Sequence, residues 1–354
     1  MNTSYINGTY FNNYSLECIN QSIPDASSGA MSTINYVIGN FIYPVVLCIG
    51  ILGNLLNIVV ILSQRMSMRF TAITILSVAV VDTVGLLVWL LPEYLDILSG
   101  YDVRESSQTA CTLFTFFTVV CTVASPWCLV ALTTERMVSV IWPFKVKLIF
   151  TRKSSLFVQL SIYVVSIAFA AFSSQHVDIS KTNADVYGGT ACGIVPDSLY
   201  VFSYTISILF LSLTFPIPSI LLFMSNFAIV YNMKPIKNIA LPTEISLRLH
   251  QQRIRMFKLV TVLNVVFFIS QFPLTTYASV TEYFRDWIKS AVCTDDILFR
   301  KNVTKTISTC CTCFASINPS INVLLYFSIS DRFRGACKAL FRCEAAGTRN
   351  VFGD

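Results

Sequence analysis

The chain has 354 residues, 54% of them hydrophobic and only 12% charged, with a mean hydropathy of +0.65. That charged fraction is about half of the roughly 25% typical of soluble domains, which excludes an ordinary soluble globular class and points to an integral membrane protein. The net charge of +6 invites a nucleic-acid reading, but it needs no nucleic acid once the basic residues are placed relative to a membrane.

Residues 1–33 are polar, rich in Asn, Ser and Tyr, and lack the basic and apolar regions of a cleavable signal peptide. Asn2, Asn7, Asn13 and Asn20 each open an Asn-X-Ser/Thr sequon. A single sequon arises by chance in an Asn-rich segment, whereas this clustering implies an extracellular, glycosylated tail.

Seven apolar segments follow, near 34–64, 70–98, 108–140, 154–175, 199–232, 252–281 and 303–327, each long enough to cross a hydrocarbon core of about 30 Å as a helix. An odd number of crossings puts the C-terminus in the cytoplasm. Alternating the loops assigns 18 of the 25 Lys and Arg residues to the cytoplasmic side, in agreement with the orientation given by the sequons. The sequence therefore predicts an all-α membrane protein: a seven-helix bundle over residues 34–327, with the lipid bilayer as its solvent. In the remaining tail, residues 328–354, Phe333, Ala336, Leu340 and Phe341 recur at helical spacing between basic residues. That pattern predicts a short amphipathic helix on the inner leaflet. Cys337 and Cys343 there are placed for S-palmitoylation or are plain tail thiols.

Half of the twelve cysteines fall in apolar runs, where a thiol is a small core residue. The two histidines lie far apart and no CxxC pair is matched by a second at zinc-site spacing, so neither a metal site nor an enzyme is expected. Cys18, Cys111, Cys192 and Cys293 lie on the extracellular side, where disulfides persist. Sequence alone leaves their pairing open.

Four features along the spans carry chemistry. Asp82 sits near mid-membrane in the second segment and should face polar partners or be protonated; Asn54, Ser125, Asn318 and Asn322 are the candidate partners. Together they would form either a small pocket for water or a sodium ion, or a structural hydrogen-bond network. Glu135-Arg136 closes the third segment, which runs without charge from Cys111, and reads as a functional ion pair or as boundary charge. Pro216 and Pro218 in the fifth segment and Pro273 in the sixth predict kinks. A transporter or channel would also use kinked helices and a buried acid, but it should show inverted halves or more mid-membrane charge, and neither is visible.

These residues, in this order, resemble the rhodopsin-like G-protein-coupled receptors. The landmarks are Gly53-Asn54, Asp82, Cys111, Glu135-Arg136-Met137, Pro143, Cys192, Pro218, Phe267 with Pro273, and Asn322-Val323-Leu324-Leu325-Tyr326. In the last, Val323 stands where the family has proline; counting back from Phe333-Arg334 places Asn322 and Tyr326, rather than Asn318-Pro319, in that motif. NPSINVLLYFSISDRFR and ERMVSVIWPFKVK are similar to the FMRFamide-like neuropeptide receptors. Gln271 replaces the tryptophan usual before the sixth-span proline, Asn226 the fifth-span tyrosine, and the fourth span has no tryptophan.

The resemblance implies a receptor that binds an extracellular peptide and activates a heterotrimeric G protein, or a chemosensory receptor of the same fold. It implies a Cys111–Cys192 bridge, leaving Cys18 and Cys293 as the remaining pair. It assigns Glu135, Arg136, Asn322 and Tyr326 to the G-protein switch, with Arg136 held by Glu135 at rest. Thr118 stands where amine receptors carry an aspartate and Ser316 where opsins carry lysine, which disfavours both ligand classes. Glu93, Asp96 and Glu282, with Thr118 and Gln271 deeper, are the candidate ligand contacts for a basic peptide residue.

Overall fold

Each apolar segment forms a helix because, in lipid, a backbone with no water to bond must satisfy its own N–H and C=O groups. The computed structural model describes residues 25–63, 70–142, 144–175, 177–180, 191–194, 200–232, 243–291, 294–329, 333–335 and 337–338. Among these, six helices are long and apolar enough to cross a membrane.

The first span joins α1 (Asp25–Val37) to α2 (Tyr43–Ser63) through a π-helical turn at Ile38–Ile42. The second joins α3 (Phe70–Gly85) to α4 (Leu91–Ser99) through another at Leu86–Leu90. The two π turns share one apolar cluster, with Ile38, Tyr43, Leu47, Leu86 and Leu90 all buried. The third span is α5 (Gln108–Ile141), followed by the short α6 (Val146–Ile149), and the fourth is α7 (Arg152–Ser174). A hairpin of β1 (Val177–Ser180) and β2 (Ala191–Ile194) then pairs Ile179 with Cys192 in antiparallel register. The sequence reading had no strand here.

The fifth span breaks into α8 (Tyr200–Thr214) and α9 (Pro216–Asn232) at Phe215. Pro216 lacks an N–H and disfavours helical geometry in the residue before it, so the expected kink falls there. The sixth span is α10 (Thr243–Ser279), which carries Pro273 inside it; α11 (Thr281–Lys289) follows. The seventh is α12 (Thr294–Ile329), with Pro319 inside. At 36 residues, about 54 Å at 1.5 Å per residue, α12 is much longer than a bilayer core requires.

Helix α5 is the axle of the bundle: it packs against α3, α7, α8, α9 and α10. Its Leu129 and Leu132 meet Leu222, Leu259, Leu263 and Phe267 in the core between the third, fifth and sixth spans. Helix α7 turns Phe157, Leu160 and Val164 outward and is fixed to the bundle by polar contacts. Gln159 donates to Thr74 at 3.1 Å and accepts from the Cys128 thiol at 3.3 Å, while the Tyr163 hydroxyl donates to the Ser77 carbonyl at 3.4 Å. These bonds hold the fourth span to the second and third without a tryptophan.

Helices α2 and α12 meet through glycines. A Cβ on Gly53 would lie 2.3 Å from Cγ1 of Val323, and one on Gly50 would lie 2.4 Å from Leu86 and 2.6 Å from Ser320. Past α12, residues 333–335 and 337–338 are helical, consistent with the expected amphipathic turn.

Candidate functional site

At the Cys111 end of α5, Cys111 and Cys192 form the implied disulfide, with Cα atoms 5.6 Å apart. The bridge fastens β2 to the helix, and Gln108 one turn earlier donates to the Val177 carbonyl of β1 at 2.8 Å. The hairpin is therefore held over this end of the bundle at two points. Cys18, Cys293 and Asn2, Asn7, Asn13 and Asn20 lie outside the described residues.

Two of the candidate ligand carboxylates already have partners. Arg104 donates from Nη1 to Glu93 Oε1 at 2.8 Å and from Nη2 to Asp102 Oδ2 at 2.6 Å, with Nε 2.8 Å from both Asp102 oxygens. Burial alone would lower the Arg104 pKa, but the hydrogen bonds and charges of Asp102 and Glu93 outweigh it and hold the guanidinium more firmly protonated than usual. Asp96 pairs with Lys305 at 3.6 Å. Glu93 is thus held in a clamp of charge-assisted bonds, whereas Asp96 faces a lysine that is 60% exposed. Glu282 lies on α11, and its side chain is outside the described residues. Thr118 is half-buried on α5, and Gln271, also half-buried, donates to the Ala315 carbonyl of α12 at 3.4 Å.

Halfway along the bundle, Asp82 is buried and both its oxygens accept side-chain bonds, from Ser125 at 2.8 Å and from Asn322 at 2.7 Å. The second, third and seventh spans meet at this one carboxylate. Asn322 rather than Asn318 is the residue that reaches it, which agrees with the register chosen for the seventh span. Asn54 donates instead to the Pro319 carbonyl at 2.9 Å, and among the described residues Asn318 makes no hydrogen bond to Asp82. A hard cation takes a shell of several oxygens. Of the side chains named around Asp82, Ser125 and Asn322 bond to it and Asn54 bonds elsewhere, so among the described residues the arrangement is a hydrogen-bond network and no step is assigned to a sodium ion.

At the other end of α5, Glu135 and Arg136 do not pair directly. Thr71 at the start of α3 stands between them: its hydroxyl donates to Glu135 Oε1 at 2.6 Å and accepts from Arg136 Nη2 at 3.3 Å. The expected direct hold is corrected to a threonine bridge. Adjacent residues on a helix point about 100° apart, so a third group between two such side chains is a natural solution. The other oxygen, Glu135 Oε2, is buried without a hydrogen-bond partner.

Two further polar contacts cross the bundle near this end. Thr133 of α5 donates to Asn264 of α10 at 3.4 Å, and Thr261 of α10 donates to Asn226 of α9 at 3.3 Å. Asn226, which replaces the usual tyrosine, thus ties the fifth span to the sixth. Tyr326 is helical, and its side chain is outside the described residues. Cys337 is 3% exposed and packs with Val60, and burial pushes its thiol pKa up. Among the described residues the Cys337 thiol is turned toward Val60, so its acylation would require the side chain to turn outward; Cys343 lies outside the described residues.

Sequence reasoning missed Thr71, Arg104, Thr261 and Asn264. A lone threonine or asparagine in an apolar run carries no spacing signal, and Arg104 is eleven residues from Glu93 across a turn.

The profile of the 7 transmembrane receptor (rhodopsin family) matches residues 53–326. Among known proteins, the chain is similar to neuromedin-U receptor 2 of Rattus norvegicus, at 23% identity over 301 residues, spanning 83% of this chain and 72% of that protein. With the disulfide-tethered hairpin at one end of α5, the Asp82 junction at mid-bundle and the bridged Glu135-Arg136 at the other end, that match settles the family: the chain belongs to the rhodopsin family of seven-transmembrane receptors.

Proposed function

We propose that the protein is a peptide-activated G-protein-coupled receptor of the plasma membrane, with Cys111 outside, Arg136 inside, and a short, amidated, FMRFamide-like neuropeptide as its ligand. The observation that carries this reading is the double tethering of α5: one rigid helix joins the hairpin-covered mouth to the bridged Arg136. Similarity to a neuropeptide receptor supports a peptide ligand, and the motifs around Pro143 and Tyr326 support the FMRFamide-like class. The sequons and the excess of basic residues near the Arg136 end support the orientation.

Peptide entering beneath the hairpin would compete for Asp96 and contact Thr118 and Gln271. Because Gln271 bonds to the backbone of α12 and sits two residues before Pro273, its displacement would move the sixth span at its kink. The active population rises only by as much as the ligand prefers it. Parting of the Thr133–Asn264 and Thr261–Asn226 bonds then opens the inner end, and Arg136 leaves Thr71 for the G protein. A sodium ion beside Asp82 would take its carboxylate and the Ser125 hydroxyl as oxygen ligands.

The test is a calcium or cAMP assay of surface-expressed receptor against a library of amidated peptides. A response to at least one peptide is the expected result. Silence across the library, with expression verified, would favour a chemosensory ligand on the same fold.

A further inference from the structure

One sequon lies outside the amino-terminal tail. Asn302-Val303-Thr304 has the Asn-X-Thr pattern with no proline between, whereas Asn318-Pro319-Ser320 is spoiled by its proline. An acceptor sequon belongs on a surface loop, because the sugar it receives is bulky and keeps to water. This one is folded into the outer turns of α12. Asn322, which meets Asp82 at mid-bundle, lies about 30 Å further along the helix, so Asn302 is beyond the half-thickness of about 15 Å of a hydrocarbon core. Its neighbours are committed to packing. Thr304 is 2% exposed and its hydroxyl donates to the Arg300 carbonyl at 2.9 Å, while the Asn302 carbonyl accepts from the Thr306 hydroxyl at 2.8 Å. The same Thr306 oxygen accepts from Asn35 of α1 at 3.0 Å. Residues four apart share a helix face, so Asn302 and Thr306 look toward α1, where Met31 and Asn35 are half-buried amid exposed neighbours. The first and seventh spans cross in the same sense, and the register of Asn35 on Thr306 puts Met31 level with Asn302. A sugar on Asn302 and α1 docked against α12 therefore compete for one place.

We infer that Asn302 is a conditional N-glycosylation site: it accepts an oligosaccharide only while the outer turns of α12 are unfolded and α1 is undocked, and the folded receptor is bare there. The step joins the Asn302 side-chain nitrogen to C1 of a lipid-linked oligosaccharide diphosphate. The C1–oxygen bond breaks, the lipid diphosphate leaves with its electron pair, and the amide loses one proton. A transferase needs the Asn amide and the Thr hydroxyl presented together on an open chain, and in α12 that threonine is buried. Arg300 makes the closure firm. It pairs with Asp296 at 2.7 Å, donates to the Ser290 hydroxyl at 2.8 Å and lies over the Trp287 ring at 5.0 Å, tying the outer end of α12 to α11. Presentation of Asn302 to the glycosylating compartment rests on the proposed orientation.

The full chain expressed in cells tests this by mass spectrometry of site occupancy, read separately on surface-labelled and internal receptor. Asn302 should be bare in surface wild type, and Thr306→Pro, which breaks the helix just past an intact sequon, should raise its occupancy in internal receptor about fivefold or more. Arg300→Gln, which loosens the same end without a backbone break, should shift occupancy in the same direction. Adding Thr304→Ala to either variant should abolish the modification and adding Thr304→Ser should retain it, which separates glycosylation from misfolding. An oligosaccharide on Asn302 in most of the surface wild type would make it an ordinary exposed site and overturn the assignment. So would a bare Asn302 in both variants while the sequons of the tail are glycosylated. A chain bare at the tail as well would overturn the orientation, and the assignment with it.

Discussion

Thr71 has leverage because one hydroxyl serves two charged groups. Glu135 has one oxygen bonded to Thr71 and the other buried without a partner, so removing the hydroxyl strips the carboxylate of its described side-chain donor. A hydrogen bond to a charged group contributes about 1.5–3 kcal/mol. Thr71→Val is accordingly expected to raise basal signalling about tenfold, and Thr71→Ser to leave it near wild type; ligand-free nucleotide exchange on reconstituted receptor reads the difference. Arg136→Ala has the opposite consequence: surface expression and ligand binding persist while signalling disappears, and full signalling in that variant would remove Arg136 from the switch. The sequence announced Glu135, Arg136 and Asp82 because charge is conspicuous in an apolar run. It was silent on Thr71 because one more threonine in a span is not. The Arg104 clamp was equally hidden, since which cation satisfies Glu93 is decided by how the loop turns.

At the scale of elements, length and apolarity anticipated the helices, six of which among the described residues are long and apolar enough to cross a membrane, and the disagreements lie at their ends. The first and seventh helices start at Asp25 and Thr294, earlier than their apolar runs, because polar turns extend them. There Asn35 donates to Thr306 at 3.0 Å and Lys305 pairs with Asp96. Apolarity marks where a helix enters lipid, and says nothing of how far it continues into water. The π turns were equally illegible, since an extra residue per turn leaves no compositional trace. Helices α2 and α12 approach closely at Gly53 and Val323, where the family's proline is missing from the seventh span. Gly53→Ala forces one helix to shift and is expected to cost about 1–3 kcal/mol of stability, lowering the melting temperature of detergent-solubilised receptor. Adding Val323→Ala should restore part of the loss, because the two substitutions share one contact.

For the whole molecule, the family resemblance supplied what composition could not, which cysteines pair; both Asn318 and Asn322 stood as partners for Asp82, and the fold brings Asn322 to it. The Cys111–Cys192 bridge spans 81 residues, which makes it a major constraint on the unfolded chain. On the chain-entropy account, Cys111→Ser is expected to cost about 4–5 kcal/mol and to deplete surface receptor, measurable by cell-surface labelling. The bridge also fixes the hairpin over the bundle, so surviving protein should lose ligand response more than ligand-free stability.

The seventh helix buries Thr306, Thr309, Thr312, Ser316, Asn318, Ser320 and Asn322 along its inner side. Such a segment gains little from lipid on that side, and the other spans must supply the surroundings it needs. The consequence concerns synthesis rather than signalling. Presented alone to the translocon, residues 294–329 should enter the bilayer inefficiently, and the same segment following the first six spans should enter well. Glycosylation reporters placed beyond it would distinguish the two. A receptor built this way completes its membrane topology only after most of its bundle has assembled, so a mutation that loosens the early helices would be felt first as a last helix left outside the membrane.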